Sequence, residues 1–295
     1  MKNLTITTLF LCLSLSLFAQ DQDQEKETLG WSSEGKFTFL INQSAFSNWI
    51  AGGENSVAGN ANINYSVNYK SETWSWENKL QASYGLTQNE TSDYVKKTDD
   101  QLNYYSLVNL TGERKMKWSF LTQFKTQFSD GYNYYDDENG AEQRDVETKF
   151  MSPGYLNFGP GLLIDRIKNL SLNVSPATVK MTFVNSEFTS GADYEDGSYF
   201  GVASGKSMRF EFGFNAAATY KITLMENVSM ENLVNLYSNY IEDPQNIDID
   251  YTMNLVMKIN DLLSTNLTFQ TIYDDNAFEG FQIREVLGLG LNASF

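Results

Sequence analysis

Glu77 and Lys79 stand two residues apart, and so do Arg209 and Glu211. In an extended chain, residues i and i+2 share a face, so each pair sets an acid beside a base on one side of a strand. Lys125, Glu231, Lys258 and Arg284 fall at equivalent positions, inside stretches where polar and apolar residues alternate. Charges gathered on one inward face can select an ion, bind a polar solute, or neutralise each other in a crowded interior. Acids and bases nearly balance in this set, which argues for neutralisation rather than for a ring of one sign.

Catalytic chemistry is narrowed by what the chain lacks. It contains no histidine, and its one cysteine is Cys12. A Ser/His hydrolase has no imidazole base here, and sites built on His or Cys ligands have no donors. We expect no enzyme, no cofactor and no metal. The stretch DGYNYYDDENGAEQRDVE, from Asp130 to Glu147, is rich in acids. Counting back from Gly140 puts Tyr135 where a calcium loop requires Asp, so the segment reads as a solvated acidic loop. No basic patch interleaved with aromatics is present to bind nucleic acid.

The elements that position these charges follow from periodicity. The alternating apolar sets begin with Phe37, Phe39, Ile41 and Ala61, Ile63, Tyr65, Val67, Tyr69, and end with Leu287, Leu289, Leu291, Ala293, Phe295. About twelve such segments can be counted, with ten to fourteen compatible with the pattern, each near the ~10 residues of a transmembrane strand. A parity slip near Pro176 predicts a bulge. Short turns fall near residues 71–72, 112, 165–169, 226 and 260–263. They alternate with longer connections at 47–56, 87–100, 129–148, 185–205, 241–248 and 274–280. The longer set carries most of the 37 Asp and Glu. The pattern predicts an all-β, closed antiparallel transmembrane barrel with short periplasmic turns and long acidic outer loops.

The amino terminus supplies an address. Lys2, an apolar run from Leu9 to Phe18, and Ala19 read as a cleaved signal peptide over residues 1–19. A periplasmic segment is expected at 20–35 and the barrel at 36–295. The terminal strand, closing on Phe295, reads as an assembly signal presented to the barrel-assembly machinery.

One motif stands outside the strand pattern: FSNWIAGGENS, residues 46–56. Trp49, Gly52 and Gly53 lie in the first long connection, where they could fold inward as a constriction or serve as an interfacial anchor. With the signal ending in LFAQ and the closing strand, this Trp-x-x-Gly-Gly loop resembles a family of Bacteroidota outer-membrane barrels known only as a domain of unknown function. The resemblance implies an outer-membrane barrel of a Gram-negative bacterium, in contact with outer-membrane lipid, and carries no activity. The residues point to a narrow or gated, porin-like route or binding site for a small solute. The alternative is a non-conducting scaffold or accessory subunit holding a protein partner.

Overall fold

The computed structural model describes residues 29–47, 54–111, 116–192 and 194–295. Its strands are β1 (Gly30–Ser44), β2 (Ser56–Lys70), β3 (Trp74–Asn89), β4 (Lys96–Leu110), β5 (Lys117–Thr126), β6 (Gly131–Asp136), β7 (Glu142–Thr148), β8 (Gly154–Ile164), β9 (Leu170–Phe183), β10 (Met208–Met225), β11 (Val228–Asn239), β12 (Asp248–Lys258), β13 (Leu263–Asp274) and β14 (Phe278–Ser294). Twelve of them close into an antiparallel barrel, in the order β1-β14-β13-β12-β11-β10-β9-β8-β5-β4-β3-β2, while β6 and β7 form a separate hairpin. Closure gives every barrel strand a partner on both sides over at least part of its length, which is how a sheet satisfies its backbone in hydrocarbon.

The alternation resolves as expected from its period. Phe37, Phe39 and Ile41 face out and are exposed, while Thr38 and Leu40 between them face in and are buried. Large apolar side chains such as Trp118, Phe120, Phe210 and Leu289 continue the outer belt. Rings cluster at its two edges. Trp31, Tyr69 and Trp74 contact one another in sequence at the short-turn end, their rings tilted and their centroids 5.0 and 4.9 Å apart. Phe212 with Tyr240 (6.1 Å) and Tyr273 with Phe281 (5.3 Å) mark the long-loop end. Aromatic girdles above and below an apolar band are the signature of a membrane-spanning barrel.

Several boundaries differ from the sequence expectation. Strand β1 starts at Gly30, so residues 30–35 belong to the barrel sheet rather than to a preceding segment. Strands β3 and β4 run on to Asn89 and from Lys96, shrinking the connection expected at 87–100 to residues 90–95. The connection expected at 274–280 is only residues 275–277. Loop length therefore sorts the two ends less cleanly than the sequence implied, because the outer strands continue as paired ribbon past the apolar belt. The acidic stretch read as a solvated loop contains the β6–β7 hairpin. The predicted bulge is present: the β9–β10 register shifts between Thr178 and Ser175, around Pro176.

The barrel closes at a short seam. β1 and β14 pair from Lys36 with Ser294 to Ile41 with Leu289, and Gly35 and Phe295 exchange both backbone hydrogen bonds just below. The Phe295 ring lies where a Cβ on Gly35 would sit, 2.2 Å from the nearest ring atom. It also stacks on Tyr65 at 6.1 Å.

Candidate functional site

Alternation aims one residue in two at the lumen, and in this chain those residues meet across it. Near the long-loop end, Lys180 of β9 reaches acids on the adjacent β10 and, across the lumen, on β12 and β13. Its Nζ is 2.7 Å from Asp248, 3.4 Å from Asp274 and 3.6 Å from Glu211, and 5.0 Å from the centre of the Tyr237 ring. Arg209 lies 3.6 Å from Glu211 and 2.8 Å from Glu242. The Lys180 and Glu211 side chains are 8% and 2% exposed, as dry as a protein core. Asp248, Asp274 and Asp275 could together hold a cation, but the Lys180 ammonium already answers two of them, and Asp275 accepts from Asn246 at 2.6 Å.

A second layer lies deeper. Asn60 donates to Asp99 at 2.8 Å, and Arg284 pairs with the same carboxylate at 2.5 Å. Arg284 and Gln101 both donate to Gln270, at 3.3 and 3.1 Å. Gln270 donates to Asp250 at 3.0 Å, and Asp250 forms an ion pair with Lys125. This chain of contacts links β2, β4, β14, β13, β12 and β5, so it crosses the lumen instead of running along one wall.

Beneath it the polar rule breaks. Leu107, Leu121 and Leu163, from β4, β5 and β8, face inward and are 1–2% exposed, with Tyr105 and Ala217 packed against them. The lumen is thus filled at three successive levels by acid–base contacts, a polar chain and an apolar knot.

The mouth is capped as well. In the connection between β9 and β10, Phe200 lies edge-on to Tyr155, centroids 6.4 Å apart. Gly201 follows with φ +69°, and a Cβ there would meet the Arg209 guanidinium at 1.9 Å. Glycine fits because the chain turns left-handed in direct contact with that side chain. A small polar cleft, open to solvent, remains beside the cap, lined by Arg209, Glu242, Asp243, Asn246, Asp248 and Asp275 among others.

The residues singled out from sequence separate into groups. Lys125, Arg209, Glu211 and Arg284 belong to the lumen layers described above. Lys79 rests 5.7 Å from the Tyr105 ring centre, and among the described residues it makes no ion pair with Glu77. Glu231 pairs with Lys221 at 3.2 Å, and Lys258 with Asp261 at 2.7 Å, both at the short-turn rim, away from the layers. Trp49, Gly52 and Gly53 lie outside the described residues, as do residues 1–28. Lys180, Asp99, Asp248 and Asp274 were missed. Asp99, Asp248 and Asp274 fall within connections expected from the sequence at 87–100, 241–248 and 274–280, and turn inward at strand ends. Lys180 alternates with Val179 and Met181 after the bulge, which is the signal that could have found it.

Outside the membrane, the β6–β7 hairpin is clipped to the β3–β4 connection. Arg144 lies between Tyr132 and Tyr94, 4.1 and 4.6 Å from their ring centres. Glu142 pairs with Lys96 at 2.5 Å and accepts from the Ser92 hydroxyl at 2.8 Å and the Asp93 N–H at 3.0 Å. The Lys96 hydrogen bond, then Ser92, hold the Glu142 carboxyl below its ordinary value of 4.5. A depressed acid contributes stability that is full above its unfolded-chain value and lost as pH falls through the folded one. We therefore expect hairpin amides to stay protected from hydrogen exchange at neutral pH and to lose protection only below the ordinary carboxylate range. In Glu142→Gln the protection should be weak at every pH.

Fold and lumen define a closed transmembrane β-barrel with a filled interior. Residues 41–132 match the family described as "Protein of unknown function (DUF3078)", a stretch that spans β2 to β5. No curated protein matches the chain. Among solved structures it is similar to the translocator domain of autotransporter NalP from Neisseria meningitidis, at 8% identity over 92% of this chain and 90% of that one, with a TM-score of 0.43. It is also similar to an outer membrane channel from Pseudomonas putida F1, at 10% identity, 94% and 99% coverage and a TM-score of 0.40. A third is the CymD monoaromatic hydrocarbon channel, at 9% identity, 92% and 90% coverage and a TM-score of 0.33. At these scores the likenesses bear on neither cargo nor partners.

Proposed function

We propose that this protein is an outer-membrane barrel that holds no open pore and acts as a scaffold or accessory subunit. One observation carries the reading: Lys125–Asp250 and, higher up, Arg284–Asp99 bridge the lumen on the long-loop side of the dry Leu107, Leu121 and Leu163 knot. About eight strands enclose an interior that side chains can fill, while sixteen or more leave a water channel. Twelve strands filled by this sequence fall on the closed side. On this reading the chain is exported by a signal peptide cleaved after Ala19 in a Gram-negative, Bacteroidota-type cell, and Phe295 is read by the assembly machinery.

A gated solute route is the second reading, and one observation favours it. Toward the short-turn end, Asn62, Ser66 and Asn68 are only partly buried and Asn64 is exposed, making a wet vestibule under the filled layers. Planar-bilayer recording separates the two. The folded wild type should pass no resolvable current, and Asp99→Ala with Leu107→Ala and Leu121→Ala should create one. Steady or ligand-triggered current through the wild type would overturn the scaffold in favour of the route.

A further inference from the structure

We propose that the upper edge of β14 docks an extended, mostly apolar segment of another protein, carrying a lysine or arginine opposite Glu285. This goes beyond the scaffold reading by naming a surface and a partner chemistry, and it does not depend on whether the lumen conducts.

The seam is the starting point. The last β1–β14 pair is Ile41 with Leu289, yet β14 continues up to Phe278. Gly35 and Phe295 exchange both backbone hydrogen bonds, so the odd-numbered residues of β14 aim N–H and C=O toward β1. Above Leu289 those residues are Leu287, Glu285, Ile283 and Phe281. Among the described residues their backbone groups on that side meet no strand. Bilayer hydrocarbon offers them no water.

The side chains of the same residues face outward. Phe281, Ile283 and Leu287 are 61%, 69% and 52% exposed, and Glu285 is exposed among them. Across β13, Glu285 stands opposite Phe269, flanked by Leu267 and Thr271. Arg284 turns the other way, to Asp99. Glu285 therefore has no cation beside it among the described residues, on a face where a charge is costly. An open edge and an unanswered carboxylate at one place call for one occupant, a strand that supplies backbone partners and a positive charge. What is open is one strand edge, so the occupant is an extended segment. A second copy is disfavoured, since two such edges paired antiparallel bring both Glu285 carboxylates into neighbouring positions.

The test uses the full barrel in lipid nanodiscs and eight-residue apolar peptides with a central Lys or Glu. The Lys peptide should bind at least tenfold more tightly than the Glu peptide, and Glu285→Lys should reverse the preference. N-methylation of the alternate amides that face β14 should abolish binding. Should Glu285→Lys fail to reach the heat-modifiable folded form, Glu285→Gln should bring the preference close to one. Absence of Lys-peptide binding, or binding indifferent to Glu285, would overturn the proposal. So would self-association through this edge. Continuing the register sets Gln43 opposite Leu287, so a quantitative disulfide between Gln43→Cys and Leu287→Cys, with Cys12 replaced by serine, would show the chain covering its own edge and would equally overturn it.

Discussion

Replacing Lys180 with methionine is expected to lower the stability of the folded barrel by about 3–5 kcal/mol, the usual cost of removing one partner from a buried ion pair. The size follows from the surroundings. The Lys180 side chain is 8% exposed and faces Glu211, Asp248 and Asp274 within 3.6 Å, of which Glu211 is 2% exposed. Methionine fills much of the same volume but leaves three carboxylates turned toward each other with Arg209 the remaining cation close by. The urea midpoint of the heat-modifiable form reports the loss. Adding Asp248→Asn to Lys180→Met should recover part of it, because that pair is the closest of the three. A single variant within about 0.5 kcal/mol of wild type, the range of an inconsequential surface change, would mean that water reaches this layer freely.

The second large effect is expected at the seam. Gly35→Val should reduce assembled barrel several-fold while leaving export unchanged, and Phe295→Asp should do the same. A Cβ on Gly35 would sit 2.2 Å from the Phe295 ring, so the valine must displace the ring that covers this glycine. Covering a strand glycine with a cross-strand aromatic is a recognised way to pin register. The displaced ring also loses its stacking on Tyr65, and such pairs add about 0.5–1.5 kcal/mol beyond area burial. Since β1 and β14 share few pairs, the closing strand has little else at that level to hold register. Heat-modifiable band intensity in the membrane fraction checks both variants. If Gly35→Val assembled normally while Phe295→Asp failed, the terminal residue would matter for recognition alone.

The sequence made the barrel legible because period two is written into every strand. Phe37, Phe39 and Ile41 against Thr38 and Leu40 fix a face without any knowledge of neighbours, and the slip at Pro176 announces its bulge. Which charge meets which was not legible. Asp99 and Arg284, or Lys125 and Asp250, belong to strands that are never adjacent, so their meeting depends on how the closed sheet is staggered, and no local spacing encodes that. Leu107, Leu121 and Leu163 share the inward parity of polar residues, and parity alone does not show that they meet. The β6–β7 hairpin hid in an acidic stretch because its strands are held by Tyr–Arg stacking and ion pairs rather than by an apolar face.

The lumen contacts also order events in time. Asp99 and Arg284 are 185 residues apart in the chain, and Lys125 and Asp250 are 125 apart. During synthesis, the first 180 residues supply Asp99, Lys125 and Lys180 before Asp248, Asp250, Asp274 or Arg284 exists to receive them. A half-built sheet therefore carries unmatched charges on the very face that must turn inward. Such a sheet is expected to stay hydrated on that face until the last three strands bring the partner charges. What the short seam lacks in rungs, this late stitching supplies from within. The barrel is fastened across its middle by its oldest and its youngest residues.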